Sequence, residues 1–218
     1  SPALGSKEWR RSSTFPAATA SRKAAGSVSS RSPRQIRAPG SASSTIQASA
    51  LASVPWARAV LANRRINQLE PHTRCKPSGG IRQFLTPYGV EFVELPELQR
   101  LYIFDIGGPH TYRTIYMDGR THPANLQPSY YGHSIGWWEG DTLVVDTTGF
   151  NESFWIDRRG TPHTEKLHMV ERFTRIDSAT IKYEVTAEDP GALTAPWKTG
   201  FNLRWENIVT IPDSITYP

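Results

Sequence analysis

Apolar and polar residues alternate along most of the chain after residue 88, the period-two pattern of half-buried β-strands. Turn signals such as Pro-Glu, Asp-Gly and Asp-Pro-Gly separate the runs. Eight strands are predicted, at residues 89–95, 98–106, 111–117, 132–138, 141–150, 167–176, 180–187 and 200–211. No ten-residue helical pattern interrupts them, so we expect antiparallel neighbours and not parallel βαβ units.

The best-defined element is a β-hairpin within residues 131–150. Its two arms meet at Gly140, which can adopt the positive φ of a tight hairpin turn. In the second arm Leu143, Val145 and Thr147 share one face, because strand side chains alternate. The charged Asp146 therefore shares the other face with Val144, and a polar residue in that position requires an explanation.

The order of elements predicts an all-β fold. Residues 54–69 have apolar residues at helical spacing and predict one short amphipathic helix before the sheet. Eight strands joined mostly by short turns favour an antiparallel meander that closes into a lipocalin-like barrel, because closure removes the sheet edges. A β-sandwich is the alternative. Two longer connections, at residues 121–131 and 151–166, are where binding and catalytic residues are expected.

Composition divides the chain into two parts. Residues 1–53 are rich in Arg, Ser and Ala and have few large apolar residues. Such a segment buries too little surface to offset its ordering entropy, so we predict a disordered leader. We predict that residues 54–218 form a single β-barrel-like domain. The acid-poor leader has the composition of an organelle transit peptide, which gives one expectation for location.

Charge follows the same division and argues against a nucleic-acid partner. Residues 1–65 carry 11 Lys and Arg and one acidic residue, whereas residues 66–218 carry 14 basic and 19 acidic residues. A nucleic-acid-binding domain needs its basic residues on the folded surface, and here they lie in the leader.

The sequence lacks the signals of several further classes of protein. No run of 18 apolar residues is present, so no membrane span is predicted. The single cysteine, Cys75, excludes an internal disulfide framework. Neither a Walker loop nor a dinucleotide fingerprint is present, and no cofactor is predicted. The oligomeric state is left open.

Histidines supply the first candidate chemistry. Five of the six fall within 59 residues, which suits metal coordination or proton transfer. No HExxH or other compact ligand spacing is present, so no metal site is predicted, although neighbouring strands can bring distant ligands together. The candidate catalytic residues, two imidazoles and two carboxylates, are His110, His133, Asp146 and Asp157.

Charged and aromatic residues on the predicted strands supply candidate ligand contacts. They are Tyr112, Arg113, Trp137, Trp155, His168 and Arg172. A charged group on an apolar face must be paired, because an unpaired buried charge costs several kcal/mol. One hypothesis is a structural ion pair of Arg113 or Arg172 with Asp146. The other is a polar site at the barrel mouth, where Arg binds an anionic or carbonyl group and His133 moves protons.

Three segments resemble a family of uncharacterised bacterial proteins predicted to be extracytoplasmic. They are YMDGRTHP at residues 116–123, GHSIGWWEGDTLVVDTTGFN at 132–151 and PHTEKLHMVERF at 162–173. Two shorter matches are the Arg-Cys-x-Pro-x-Gly segment at residues 74–79 and an Asp-Pro to Pro-Trp segment at 189–197. The resemblance covers residues 56–212 and implies a periplasmic or secreted location. It implies no activity. In the family Cys75 would pair with a later cysteine that this chain lacks.

Three functional hypotheses follow. The first is a barrel that binds a small molecule through a polar His/Arg/Asp site. The second is a cofactor-independent acid–base enzyme on the same scaffold, a lyase, isomerase or hydrolase. The third is a structural or interaction protein whose charges are locked in ion pairs.

Overall fold

The structure is a computed structural model that describes residues 34–37, 53–67, 69–86, 89–106 and 109–207. The remainder of the predicted leader and the end of the last predicted strand lie outside the described residues. Within those ranges the chain forms one α-helix, α1 (Pro55–Asn67), and short 3-10 helices at Pro71–Arg74, Gly80–Leu85 and Pro96–Leu98. The strands are β1 (Arg34–Arg37), β2 (Val90–Leu95), β3 (Arg100–Asp105), β4 (Tyr112–Tyr116), β5 (His133–Glu139), β6 (Thr142–Thr148), β7 (His168–Arg175), β8 (Thr180–Glu188) and β9 (Trp197–Asn207).

The strands β2 to β9 form one curled sheet in which each strand pairs with the next along the chain. The predicted all-β barrel fold is therefore confirmed, and one curled sheet takes the place of the two packed sheets of a sandwich. One junction departs from the predicted meander, because β4 and β5 pair in parallel. Parallel neighbours need a connection that returns to the starting end of the sheet, and residues 117–132 provide it.

The strand β1 closes the sheet into a barrel. It pairs antiparallel with β9 over its four residues, and Ile36 also pairs with Val90 of β2. These four residues belong to the segment for which the composition predicts a disordered leader. No periodic pattern in the sequence of that segment predicted this pairing.

The core lies inside the barrel and is rich in aromatic residues. The 3-10 helix Gly80–Leu85 places Phe84 among side chains from β7 and β8, with ring centroids 5.6 Å from Phe173 and 4.8 Å from Tyr183. Other buried members are Ile81, Leu101, Ile103, Ile115, Leu143, Val145, Phe150, Phe154, Met169, Ile181, Val185 and Leu203. Burial of this apolar surface provides the main driving force for folding.

The helix α1 lies against the loops at one end of the barrel. Trp56 donates from Nε1 to the carbonyl oxygen of Gly191 at 2.9 Å. Arg64 donates to the carbonyl oxygen of Gly160 at 3.2 Å, and its guanidinium lies 5.5 Å from the ring centroid of Trp155. Among the described helices, none combines the length and the apolar character needed to cross a bilayer.

Gly79 is a position where only glycine fits, and its replacement by alanine is expected to destabilise the barrel. Its φ is 71°, and a Cβ there would fall on the ring of Phe154. The backbone strain alone costs about 1–3 kcal/mol, and the steric conflict with a core ring adds to it. Urea unfolding monitored by tryptophan fluorescence measures the loss.

Gly119→Ala is the matched control for this variant. Gly119 also has a positive φ, of 76°, but a Cβ there meets no atom within 4 Å. We expect it to lose only the strain contribution. Equal losses in the two variants would contradict packing of Gly79 against Phe154.

Candidate functional site

The barrel wall divides the predicted site residues between two faces. Arg113 on β4 points inward with Ile115, and both are buried. His133 on β5, Asp146 on β6 and His168 on β7 lie on the outer face, since each alternates with buried inward residues. The sequence predicted the alternation correctly, but it did not place Arg113 on the opposite face from these three residues.

Inside the barrel, Arg113 forms an ion pair with Glu171 of β7. The Arg113 side chain is 1% exposed and that of Glu171 is 0% exposed. Both terminal nitrogens of Arg113 donate to the carboxylate, and Nε donates to Ser134 Oγ at 3.1 Å. The predicted pairing of Arg113 or Arg172 with Asp146 is therefore wrong. Arg113 pairs with Glu171, and Arg172 pairs with Glu139 at 2.7 Å.

Further hydrogen bonds satisfy this buried pair. The hydroxyl of Tyr183 donates to Glu171 at 2.8 Å, and Ser134 Oγ lies 2.9 Å from Thr147 Oγ1. Burial, with the nearby charge of Glu171, raises the pKa of Tyr183 well above its ordinary value. A charge buried this deeply must be fully hydrogen-bonded, and this network supplies the partners.

On the outer face, four side chains form a hydrogen-bonded chain that we call the imidazole cluster: His122, His133, Asp146 and His168. The Nδ1 atoms of His122 and His133 lie 2.8 Å apart. The Nε2 atoms of His122 and His168 each lie 3.0 Å from the same oxygen, Oδ1 of Asp146. All four are partly exposed, and the connection at residues 117–132 supplies His122.

The shared carboxylate fixes the position of one proton in this chain. An ionised Asp146 only accepts hydrogen bonds, so His122 carries a proton on Nε2 and donates it. The facing Nδ1 atoms of His122 and His133 share one proton, since one of them must donate and the other accept. The remaining ring nitrogen of His133 is Nε2. It makes no hydrogen bond to any residue in the described part of the chain.

The local environment shifts the pKa values of three members of the cluster. Burial, with the charges of His122 and Arg120, lowers the pKa of His133, so it is neutral at pH 7. Burial by itself would raise the pKa of Asp146. Hydrogen bonds and charge from His168 and His122 outweigh the effect of burial, so the pKa of Asp146 lies below 3.8. The hydrogen bond to Asp146 raises the pKa of His168 above 6.5.

The shifts predict how stability depends on pH. The raised pKa of His168 contributes stability that is fully present below pH 6.5 and is lost as pH rises through the folded-state pKa. The lowered pKa of Asp146 contributes stability present above pH 3.8 and lost as pH falls through the folded-state pKa. The His168–Asp146 pair therefore contributes fully between these two values.

Asp146→Asn is expected to lower the pKa of His168 to its ordinary value or below it, because the charge that raises it is removed while burial remains. A ¹⁵N NMR titration of the imidazoles measures this directly. An unchanged pKa for His168 in that variant would contradict the hydrogen bond to Asp146.

Tyr116 supports the cluster from the neighbouring strand. Its ring stacks on His133 with centroids 5.0 Å apart and an interplanar angle of 21°. The guanidinium of Arg120 lies 3.9 Å from the centroid of the same ring, and Asp118 holds Arg120 by an ion pair. The segment at residues 116–122 thus positions the His133 ring.

A second group of buried polar side chains fixes the end of the 117–132 connection next to β5. The hydroxyls of Ser78, Thr111 and Tyr131 all meet Oδ2 of Asp105. Burial, with the charge of Asp105, raises the pKa of Tyr131 far above its ordinary value. Tyr131 precedes His133 by two residues, so this contact determines where β5 begins.

The other predicted residues lie apart from the cluster. Asp157 caps its own turn, where its oxygens accept from Arg159 and Thr161. His110 is exposed before β4, and Trp155 is buried under Arg64.

Two more predicted residues lie on the outer face in other contacts. Tyr112 is 55% exposed beside Phe104, and Trp137 is 41% exposed and donates to Glu139.

Sequence reasoning left three contributors unassigned: His122, Tyr116 and Glu171. The clustering of histidines and the YMDGRTHP segment pointed to His122. No local signal identified Glu171, because it lies 58 residues from Arg113 in sequence.

Metal coordination has no geometric support in the described residues, where no group of three or more His, Cys, Asp or Glu side chains has a metal-binding arrangement. Within the cluster, four of the six imidazole nitrogens are in hydrogen bonds to one another or to the carboxylate oxygen.

The fold and this site define an all-β barrel protein with polar residues buried in its interior and an imidazole–carboxylate cluster on its outer face. Comparison with protein-family models, with curated proteins and with solved structures finds no match to the chain.

Proposed function

We propose that the protein binds a small organic molecule at the imidazole cluster and moves a proton to or from it. The observation that carries this proposal is the hydrogen-bonded chain from His133 through His122 to Asp146. His122 and Asp146 orient His133 through its Nδ1 atom, and Nε2 of His133 has a free lone pair in the tautomer that is protonated on Nδ1. In general acid–base chemistry the base is usually oriented by a hydrogen bond to a second group, which a third group orients in turn.

Each residue of the cluster has its own role in the proton transfer. His133 Nε2 accepts a proton from the bound molecule, and the resulting imidazolium keeps its Nδ1–H hydrogen bond to His122. His122 in turn donates to Asp146, whose negative charge stabilises the positive charge that develops. His168 donates to the same carboxylate oxygen and keeps Asp146 ionised. The lowered pKa of His133 favours the neutral, proton-accepting form at pH 7.

A ligand screen on the full chain tests the proposal. Thermal shift is measured with aromatic acids, phenols, sugars and lipids, since a ligand of the folded state raises the melting temperature by mass action. Each hit is repeated on His133→Asn. We expect hits that move the ¹⁵N signals of His133 and are lost in the variant. Hits that bind equally well to His133→Asn would place the binding site elsewhere and overturn the proposal.

A purely structural or protein-binding role is the second candidate, and the buried pair favours it. Arg113 is neutralised by Glu171, and each of its three side-chain nitrogens donates to an acceptor. These contacts are those of a structural ion pair inside the barrel. A stably folded chain that gives no hit in the screen would support this candidate.

The family resemblance and the periplasmic or secreted location are also proposals. They rest on the three segments at residues 116–123, 132–151 and 162–173. Those segments supply all four members of the imidazole cluster, which supports a shared site among proteins that carry them. A protein with the same three segments would test that inference. We expect it to lose ligand binding when its equivalent of His133 is replaced.

A further inference from the structure

We infer that the small molecule bound at the imidazole cluster carries a carboxylate, and that Arg100 binds it. This inference rests on the proposed function and specifies its substrate class. Two guanidinium groups lie next to Tyr116, and in the described part of the chain only one of them has an anionic partner.

Arg100 is the unpartnered cation. It begins β3 on the outer face, directly opposite Tyr116 of β4 in the sheet register. Its guanidinium lies 5.2 Å from the centroid of the Tyr116 ring. Its Nε is buried without a hydrogen-bond partner, and in the described part of the chain no carboxylate pairs with it. A half-buried guanidinium without an anion leaves a desolvated donor unsatisfied, which is unfavourable.

Arg120 differs from Arg100 in this respect. It donates to both oxygens of Asp118, from Nε at 2.9 and 3.0 Å. Its charge is thus already balanced, and its role is to cover the Tyr116 ring. Arg100 is the cation next to Tyr116 whose charge is available for a ligand.

The position of Arg100 relative to the base suits a small substrate. Arg100 and His133 each lie about 5 Å from the centroid of the same Tyr116 ring, so the two groups are at most about 10 Å apart. A planar guanidinium forms paired hydrogen bonds with a carboxylate. A molecule with a carboxylate at one end and an acidic O–H or C–H at the other would reach both groups. The carboxylate would fix its orientation, and His133 would accept the proton.

Two probes of similar shape test the inference, 4-hydroxybenzoate with its carboxylate and 4-hydroxybenzamide with a neutral amide in the same position. Both are titrated at pH 7 into the full ¹⁵N-labelled chain, and the dissociation constant is taken from the His133 imidazole shifts. We expect the acid to bind at least about tenfold more tightly than the amide, which corresponds to about 1.4 kcal/mol. In Arg100→Gln the preference for the acid should disappear, and in Arg100→Lys, which keeps the charge without the planar fork, part of it should remain.

Arg204→Gln is the charge-matched control, because it removes an exposed arginine of β9. It should keep the preference. Equal binding of acid and amide to the unmodified chain would overturn the carboxylate assignment and leave the proposed site standing. If neither probe moves the His133 signals, the carboxylate assignment also falls, and the library screen then decides the proposed function separately. If Arg100→Gln does not fold, the acid–amide comparison on the unmodified chain and on Arg100→Lys decides.

Discussion

Replacing Arg113 with Met is expected to lower the free energy of unfolding by about 3–5 kcal/mol, because it leaves the carboxylate of Glu171 buried without its cation. Glu171 is 0% exposed, and after the substitution the hydroxyl of Tyr183 is the hydrogen-bond donor that remains to it. Methionine has a similar length and is apolar, so the change removes the charge with little loss of packing. Equilibrium unfolding in urea measures the effect.

Two controls separate this cost from a general effect of removing an arginine. Arg172→Met breaks the Arg172–Glu139 pair, whose side chains are 42% and 45% exposed, and it should change stability by less than about 1 kcal/mol. The double variant Arg113→Met, Glu171→Leu replaces both buried charges by apolar groups and should recover much of the lost stability. A double variant that is less stable than the single one would contradict a cost due to the unpaired carboxylate.

Replacing His133 with Asn is expected to reduce the proton-transfer step about 10²–10⁴-fold once a substrate is found, which is the usual contribution of a general acid–base group. The free energy of unfolding should change by less than about 1 kcal/mol, because His133 is partly exposed on the outer face. Turnover, measured beside urea unfolding, separates the two effects.

Asp146→Asn provides the companion measurement. If the cluster acts as one unit, this variant and His133→Asn should not have additive effects on turnover. A loss of several kcal/mol of stability in His133→Asn, with ligand binding retained, would make His133 a structural residue and remove the base from the proposed mechanism.

The strands of the barrel could be predicted because alternation is a local property. In β6 the sequence separated Leu143, Val145 and Thr147 from Val144 and Asp146, and the structure keeps that division. The short turns between strands also follow from local residues such as Gly140. The parallel pairing of β4 and β5 could not be predicted, because it depends on the path of a sixteen-residue connection across the barrel.

The site could be predicted only in part. His133, Asp146 and His168 were identified as candidates and lie together. His122, which joins His133 to Asp146, was not among them, because it comes from a connection without strand periodicity. Arg113 was placed with them, although it lies inside the barrel.

The sequence by itself determined which residues form strands and which side chains share a face, because these depend on backbone geometry within a few residues. It did not determine which face is inward, because both faces of β6 carry buried valines, Val145 inside and Val144 outside. Closure of the barrel made that choice through contacts between strands far apart in the chain. The same contacts brought Arg113 to Glu171 and His122 to Asp146, so only the tertiary structure separated the buried ion pair from the partly exposed imidazole cluster.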